Sequence, residues 1–126
     1  MTLETVRRIC RSFPGVTEDV KWGNDLVFSV GDKMFAAMDL QPPYGLGFKC
    51  TPEGFGALIE REGVIPAPYL ARAMWVKEEA LGEALDKREL EQLLKQAYDL
   101  VVAKLPASRR PGAVRTVKKA KRGTRK

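Results

Sequence analysis

The sequence predicts an α+β fold, an antiparallel β-meander packed against an N-terminal and a C-terminal helix. Three observations lead there. Residues 26–50 hold three strand-like runs separated by Gly31-Asp32 and Gln41-Pro42-Pro43, the turn signals of an antiparallel meander. Residues 2–13 and 86–105 repeat apolar side chains at helical spacing. A chain of 126 residues that is 44% apolar supports one core of ordinary size.

In the first hairpin Gly31-Asp32 is a two-residue loop with glycine first, as a type II′ turn requires. That turn sets Val30 opposite Lys33, Phe28 opposite Phe35 and Leu26 opposite Ala37. Side chains alternate along a strand, so these six share one face. Val27, Ser29, Met34, Ala36 and Met38 are expected on the other. Pro42-Pro43 ends the second strand, since proline brings no donor to a ladder. In the third strand Tyr44, Leu46, Phe48 and Cys50 alternate with Gly45, Gly47 and Lys49.

Thr2 caps the first helix and Glu4 lies in its first turn. Leu3, Val6, Ile9, Cys10 and Phe13 form its buried stripe, Arg7, Arg8 and Arg11 lie off it, and Pro14-Gly15 ends it. Residues 16–23 read as a connector. Thr51-Pro52-Glu53 starts a second helix, with Phe55, Leu58 and Ile59 inward and a stop at Gly63. Gly54 and Gly56 weaken it by roughly 1 kcal/mol each relative to Ala. Residues 64–69, holding Pro66 and Pro68, read as extended or looped. Residues 73–78 can add a fourth strand, with Trp75 facing away from Met74 and Val76. Asp86 opens the longest helix. Asp86 and Glu89 have capping-box spacing, and Leu85 and Leu90 that of a hydrophobic staple. Leu90, Leu93, Leu94, Ala97, Val101 and Leu105 make its core stripe, and Pro106 stops it.

Charge is unevenly placed. Residues 107–126 hold nine basic and no acidic residues, while residues 1–106 hold 13 basic against 16 acidic, a net of −3. The organisation expected is therefore a domain over 1–106 and a basic tail over 107–126, too poor in apolar residues to order itself without a partner. Such an arm serves nucleic acid or another polyanion. Cys10 and Cys50 form no C-x-x-C pair, no apolar leader is visible at the N-terminus, and no apolar run approaches a membrane span. The chain reads as cytoplasmic, with no membrane partner.

The absence of histidine removes Ser-His and Cys-His nucleophile pairs and His-containing zinc sites. No metal, cofactor or catalytic residue is expected. Cys50 at a strand end and Cys10 on a helix stripe read as buried apolar residues. Glu18-Asp19 and Glu78-Glu79 read as solvated surface. Gly45-Leu46-Gly47 begins like a phosphate loop, but the third glycine position is Cys50 and the stretch is a strand, so the fingerprint fails.

The ordered set Phe13-Pro14-Gly15-Val16, Glu18, Trp22-Gly23, Phe28-Ser29-Val30-Gly31-Asp32-Lys33-Met34-Phe35-Ala36, Lys49-Cys50, Pro52-Glu53, Pro66-Ala67-Pro68-Tyr69, Trp75-Val76, Tyr98-Asp99-Leu100-Val101-Val102 and Lys104-Leu105-Pro106 resembles the MmcQ/YjbR family over residues 1–106. The resemblance implies a compact CyaY-like α+β fold and DNA binding through a double-wing arrangement of strands. It carries over no catalytic residue.

Two surfaces could then meet nucleic acid. On the body, Lys33 sits at a hairpin tip, Lys49 at a strand end, and Arg72 and Lys77 flank Trp75. In the tail, Arg109, Arg110, Arg115, Lys118, Lys119, Lys121 and Arg122 would contact phosphates without sequence preference. Neutralising about six phosphates would lower affinity about 10³-fold between about 50 and 200 mM salt. The expectation is a non-enzymatic protein that associates with DNA, or RNA, through its tail. The competing expectation is a module that binds a protein or small ligand in an apolar sheet groove near Trp22, Tyr69 and Trp75, because both sheet faces carry apolar residues and the helices need cover only one.

Overall fold

The computed structural model describes residues 1–111. The tail positions Arg115, Lys118, Lys119, Lys121 and Arg122 lie outside the described residues. The elements are α1 (Leu3–Arg11), β1 (Val16–Lys21), β2 (Asp25–Val30), β3 (Lys33–Asp39), β4 (Leu46–Lys49), α2 (Pro52–Leu58), β5 (Val64–Pro66), β6 (Trp75–Glu78) and α3 (Lys87–Ala103). Short 3₁₀ turns span Ala71–Ala73 and Ala107–Arg109. The six strands form one antiparallel sheet in the order β1-β2-β3-β4-β6-β5. This is the α+β architecture expected, with two strands more than the sequence disclosed.

The extra strands lie at the sheet edges. Residues 16–21, read as a connector, pair along their whole length with β2, from Val16 opposite Val30 to Lys21 opposite Asp25. Most of β1 is exposed, and charges such as Glu18, Asp19 and Lys21 suit an edge that must not recruit another chain. Those charges also hide the strand from a search for apolar alternation. At the other edge β5 is three residues long and ends on Pro66, which an edge tolerates.

The central hairpin corrects the expected register. Gly31 and Asp32 both have positive φ, 57° and 66°; that is the type I′ pattern, which aspartate can enter beside glycine. Val30 does face Lys33, but the register shifts at Phe28/Ser29. Phe28 then faces Ala36, Val27 faces Ala37 and Leu26 faces Met38. A bulge leaves one residue unpaired and lets neighbours share a side: Phe35 and Ala36 are both fully buried. Ala36 and Met38, expected on the face away from Phe28, instead join Leu26, Phe28, Val30, Phe35, Leu46, Phe48 and Val76 in the core.

The helices cover this face. Val6, Ile9 and Cys10 of α1 and Leu90, Leu94, Ala97, Tyr98 and Val101 of α3 complete the core. Tyr98, which the α3 stripe omitted, packs between Phe13 and Phe35 at 5.1 and 5.7 Å and donates its hydroxyl to Pro14 O at 2.5 Å. The helix starts are as read: Thr2, Thr51 and Asp86 accept from Thr5 N, Gly54 N and Glu89 N. Asp86 makes only half a capping box, because the Glu89 carboxylate pairs with Arg61. Helix α2 stops at Leu58, not Gly63; Gly63, at φ 91°, turns the chain into β5 instead.

Two further findings change how charged residues are understood. Glu78, read as surface, is fully buried. Its carboxylate accepts from Gly82 N, Ala84 N and Leu85 N at 3.2, 3.0 and 2.8 Å, pinning the loop that launches α3. The first residues of the basic segment lie against the body. Arg109 donates to Asp32 Oδ2 and Gly31 O at 3.2 and 3.4 Å, and Arg110 donates to Leu105 O and Ala103 O.

Candidate functional site

With α1 and α3 on one side, the opposite sheet face has no helix over it among the described residues. Alternation from the bulge onward sends Asp25, Ala37, Asp39, Gly47, Trp75 and Lys77 to this open face, with Met34 beyond them. They line a groove of about 540 Å³, closed at its rims by Trp22 and by Ala67, Pro68, Tyr69 and Leu70. Trp75 is the floor, with 4% of its surface exposed. Gly47 lies beside it: a Cβ there would stand in ordinary contact, 3.8 Å from Trp75 Cε3.

The rims are built at a cost. Trp22 and Tyr69 adopt left-handed φ of 54° and 66°, a region worth roughly 1–2 kcal/mol of steric penalty for a residue with a Cβ. Neither ring recovers that by burial, for Trp22 is 69% exposed and Tyr69 fully so. On the Tyr69 side the 3₁₀ turn Ala71–Ala73 ends on Met74, also left-handed, which delivers Trp75 into β6 with its ring toward the groove.

One end of the groove is acidic. Asp25 and Asp39 sit directly opposite each other on β2 and β3. Partial burial, then the neighbouring Asp39 charge, pushes the Asp25 carboxyl above the ordinary carboxylate value. A hydrogen bond to Asp39 acts in the same direction, and Lys77 opposes it. Lys77 Nζ pairs with Asp39 Oδ2 at 3.2 Å. The pair runs over Gly45, where a Cβ would fall 2.5 Å from Lys77 Cε and 3.0 Å from Asp39 Oδ2. Glycine leaves the lysine's path across open; a side chain there would push the lysine tip aside.

The three aromatic residues predicted to form a groove do converge. Among the described residues, the basic side chains predicted to contact phosphate do not assemble into one surface. Lys77 lies within the groove, engaged by Asp39. Lys49 donates to Ala73 O at 2.8 Å, and desolvation with Lys104 nearby lowers its pKa. Arg109 and Arg110 are bonded to Asp32 and to backbone carbonyls. Lys33 is exposed at the start of β3 and Arg72 on the 3₁₀ turn. The acids Asp25 and Asp39 escaped sequence reasoning, because the unbulged register sets Asp25 opposite Met38.

Among the described residues no cluster of three His, Cys, Asp or Glu side chains could hold a metal. Both thiols are free and buried in the helix-covered core, and burial raises the pKa of each. No helix among the described residues is long and apolar enough to cross a membrane.

Residues 11–100 match the YjbR family. The chain is similar to the crystal structure of a Deinococcus radiodurans protein described as a DUF419 domain, at 27% identity over 86% of this chain and 84% of that one, with a TM-score of 0.77. A protein from Pseudomonas syringae shares the fold at 19% identity, covering 79% of this chain and 98% of that one, with a TM-score of 0.67. No curated protein matches.

Proposed function

The chain belongs to the YjbR family, and on that footing we propose that it is a binding module, not an enzyme, whose open-face groove takes a small organic molecule. The observation that carries this is the convergence of Trp22, Tyr69 and Trp75 around the Asp25–Asp39 pair. A groove of about 540 Å³ falls among small-ligand sites, roughly 300–1,000 Å³, which pair apolar walls with a few placed polar groups. Two exposed aromatic residues held in costly backbone conformations support a ligand-facing role, since strain of this kind concentrates at binding sites. Binding is preferred over catalysis because both thiols lie in the core behind the sheet and no histidine exists. A fragment screen followed by chemical-shift mapping tests the reading. Hits should perturb Ala37, Gly47 and Trp75, and Trp22→Ala should weaken them; hits confined to the helical side would refute it.

The second reading is association with DNA or RNA through the basic segment. It is supported by nine positive charges and no negative ones over residues 107–126. Arg109 fixes the start of that segment beside the hairpin tip, near Lys33. Contacts from the groove side are disfavoured, as Asp25 and Asp39 repel phosphate. Fluorescence anisotropy with duplex DNA across a salt series should show binding by the full chain. Binding should be lost when the chain is ended after Pro111, a cut that spares the Arg109 and Arg110 contacts. Absence of full-chain binding at low salt would end this reading.

A further inference from the structure

We propose that the groove selects an organic cation, an ammonium or similar positively charged nitrogen carried on a flat apolar body. This deepens the binding reading above and rests on it, adding the charge class of the ligand. The groove holds two carboxylates and one cation: Asp25 and Asp39 face each other across β2 and β3, and Lys77 engages Asp39 alone at 3.2 Å. Two carboxyl groups this close disfavour each other's ionisation, and a cation placed between or beside them relieves that repulsion. Asp25 is therefore the carboxyl group left without a cationic partner, and a bound cation would favour the ionisation that burial and Asp39 oppose.

The remaining surface suits the same ligand. Aromatic faces attract cations through their quadrupole, most strongly for tryptophan. Here Trp75 forms the floor and Trp22 and Tyr69 the rims. An anion meets the opposite situation. Lys77 is held over Gly45 against Asp39. Lys49 is bonded to the Ala73 carbonyl. Neither ammonium is available without breaking an existing interaction. Apolar lining at Met34, Ala37 and Leu70 accommodates a flat hydrocarbon body beside the charged head.

The chain's two tryptophans, Trp22 and Trp75, both line the groove, so intrinsic fluorescence reports on this site directly. The experiment titrates the full chain with three matched probes: 2-phenylethylammonium, 2-phenylethanol and 3-phenylpropionate. The ammonium is expected to give a saturable change in tryptophan emission, with the alcohol and the carboxylate at least about tenfold weaker. Asp25→Asn should weaken the ammonium about tenfold and the alcohol far less. Asp39→Asn, which frees Lys77, should move the preference toward the carboxylate; circular dichroism confirms that each variant is folded. Equal or tighter binding of the carboxylate by the unmodified chain, or an Asp25→Asn variant that holds the ammonium as well as before, overturns the cation class while leaving a ligand-binding groove. A synthetic peptide of residues 112–126 that alone changes the emission would make the basic segment the occupant and overturn the small-molecule class. No saturable response from any probe overturns the binding reading itself.

Discussion

Glu78 offers the sharpest test of how this fold is held. Its carboxylate is fully buried and accepts three backbone N–H groups, Gly82 on Oε1 and Ala84 and Leu85 on Oε2. Hydrogen bonds to a charged group contribute about 1.5–3 kcal/mol each, and a buried donor left unpaired costs about 1–3 kcal/mol. Glu78→Gln keeps the shape. Its amide oxygen can serve Ala84 and Leu85 with neutral bonds, but its NH₂ then confronts Gly82 N, donor against donor. A neutral amide is cheaper to bury than a carboxylate, which offsets part of the loss. The net expectation is a destabilisation of about 2–3 kcal/mol. Glu78→Ala strands all three donors and opens a void, so about 4–5 kcal/mol is expected, at the severe end for a single substitution. Urea denaturation followed by far-ultraviolet circular dichroism measures both. With a slope of about 1–3 kcal/mol per molar urea, the Gln variant should lower the midpoint by about 0.7–3 M without changing the slope. A Gln variant within about 0.5 kcal/mol of the parent would refute the idea that these three bonds anchor the β6–α3 loop.

The other predictions concern charge. Asp25 has a folded-state pKa above its ordinary value, chiefly through desolvation and then through Asp39. Its contribution is complete below the unfolded value of about 3.9 and is lost as pH rises through the folded value. Asp25→Asn should therefore raise the melting temperature near neutral pH and confer no advantage near pH 3; a drop at neutral pH would contradict the burial argument. Glu18 behaves oppositely. Its pKa is lowered, first by hydrogen bonds from Arg7, so its stabilisation is present above about 4.3 and fades as pH falls through the folded value. Glu18→Gln should flatten that part of the stability–pH curve, and an unchanged curve would mean that the α1–β1 link contributes nothing. Cys10 and Cys50, 0% and 2% exposed with raised pKa values, should resist Ellman's reagent in the folded chain and both react in urea. Prompt modification of either would contradict their burial.

How much of this was legible in the sequence depended on whether the signal was local. Helix starts were legible because capping is a matter of three or four neighbouring residues, and Thr2, Thr51 and Asp86 all cap as read. The groove aromatics were legible because β6 alternation separates Trp75 from Val76. Strand β1 was not, since an edge strand needs no apolar repeat and Val-Thr-Glu-Asp-Val-Lys gives none. Glu78 was not, because its partners are backbone amides four to seven residues on, and backbone donors leave no mark on composition. Tyr98 was missed because a helix stripe counts aliphatic side chains, whereas its role is set by Phe13, Phe35 and the Pro14 carbonyl.

The β2–β3 bulge shows why the acids were the hardest to find. Without it, every residue beyond Ser29 pairs one position out: Asp25 meets Met38, and a carboxylate faces a thioether. With it, Asp25 meets Asp39. The same shift turns Phe35 and Ala36 inward together and moves Met38 into the core. A one-residue change of register exchanges the two faces of a strand, so core and site are fixed by one event. The apolar side supplies the driving force, for Phe28, Phe35, Ala36 and Met38 all become fully or almost fully buried. The acid pair on the other side is disfavoured by its own electrostatics and is carried along by that burial. A carboxyl group at Asp25 that its burial and its neighbour disfavour, held in place by a core formed on the other face, is the physical ground for reading the open face as a site and not as leftover surface.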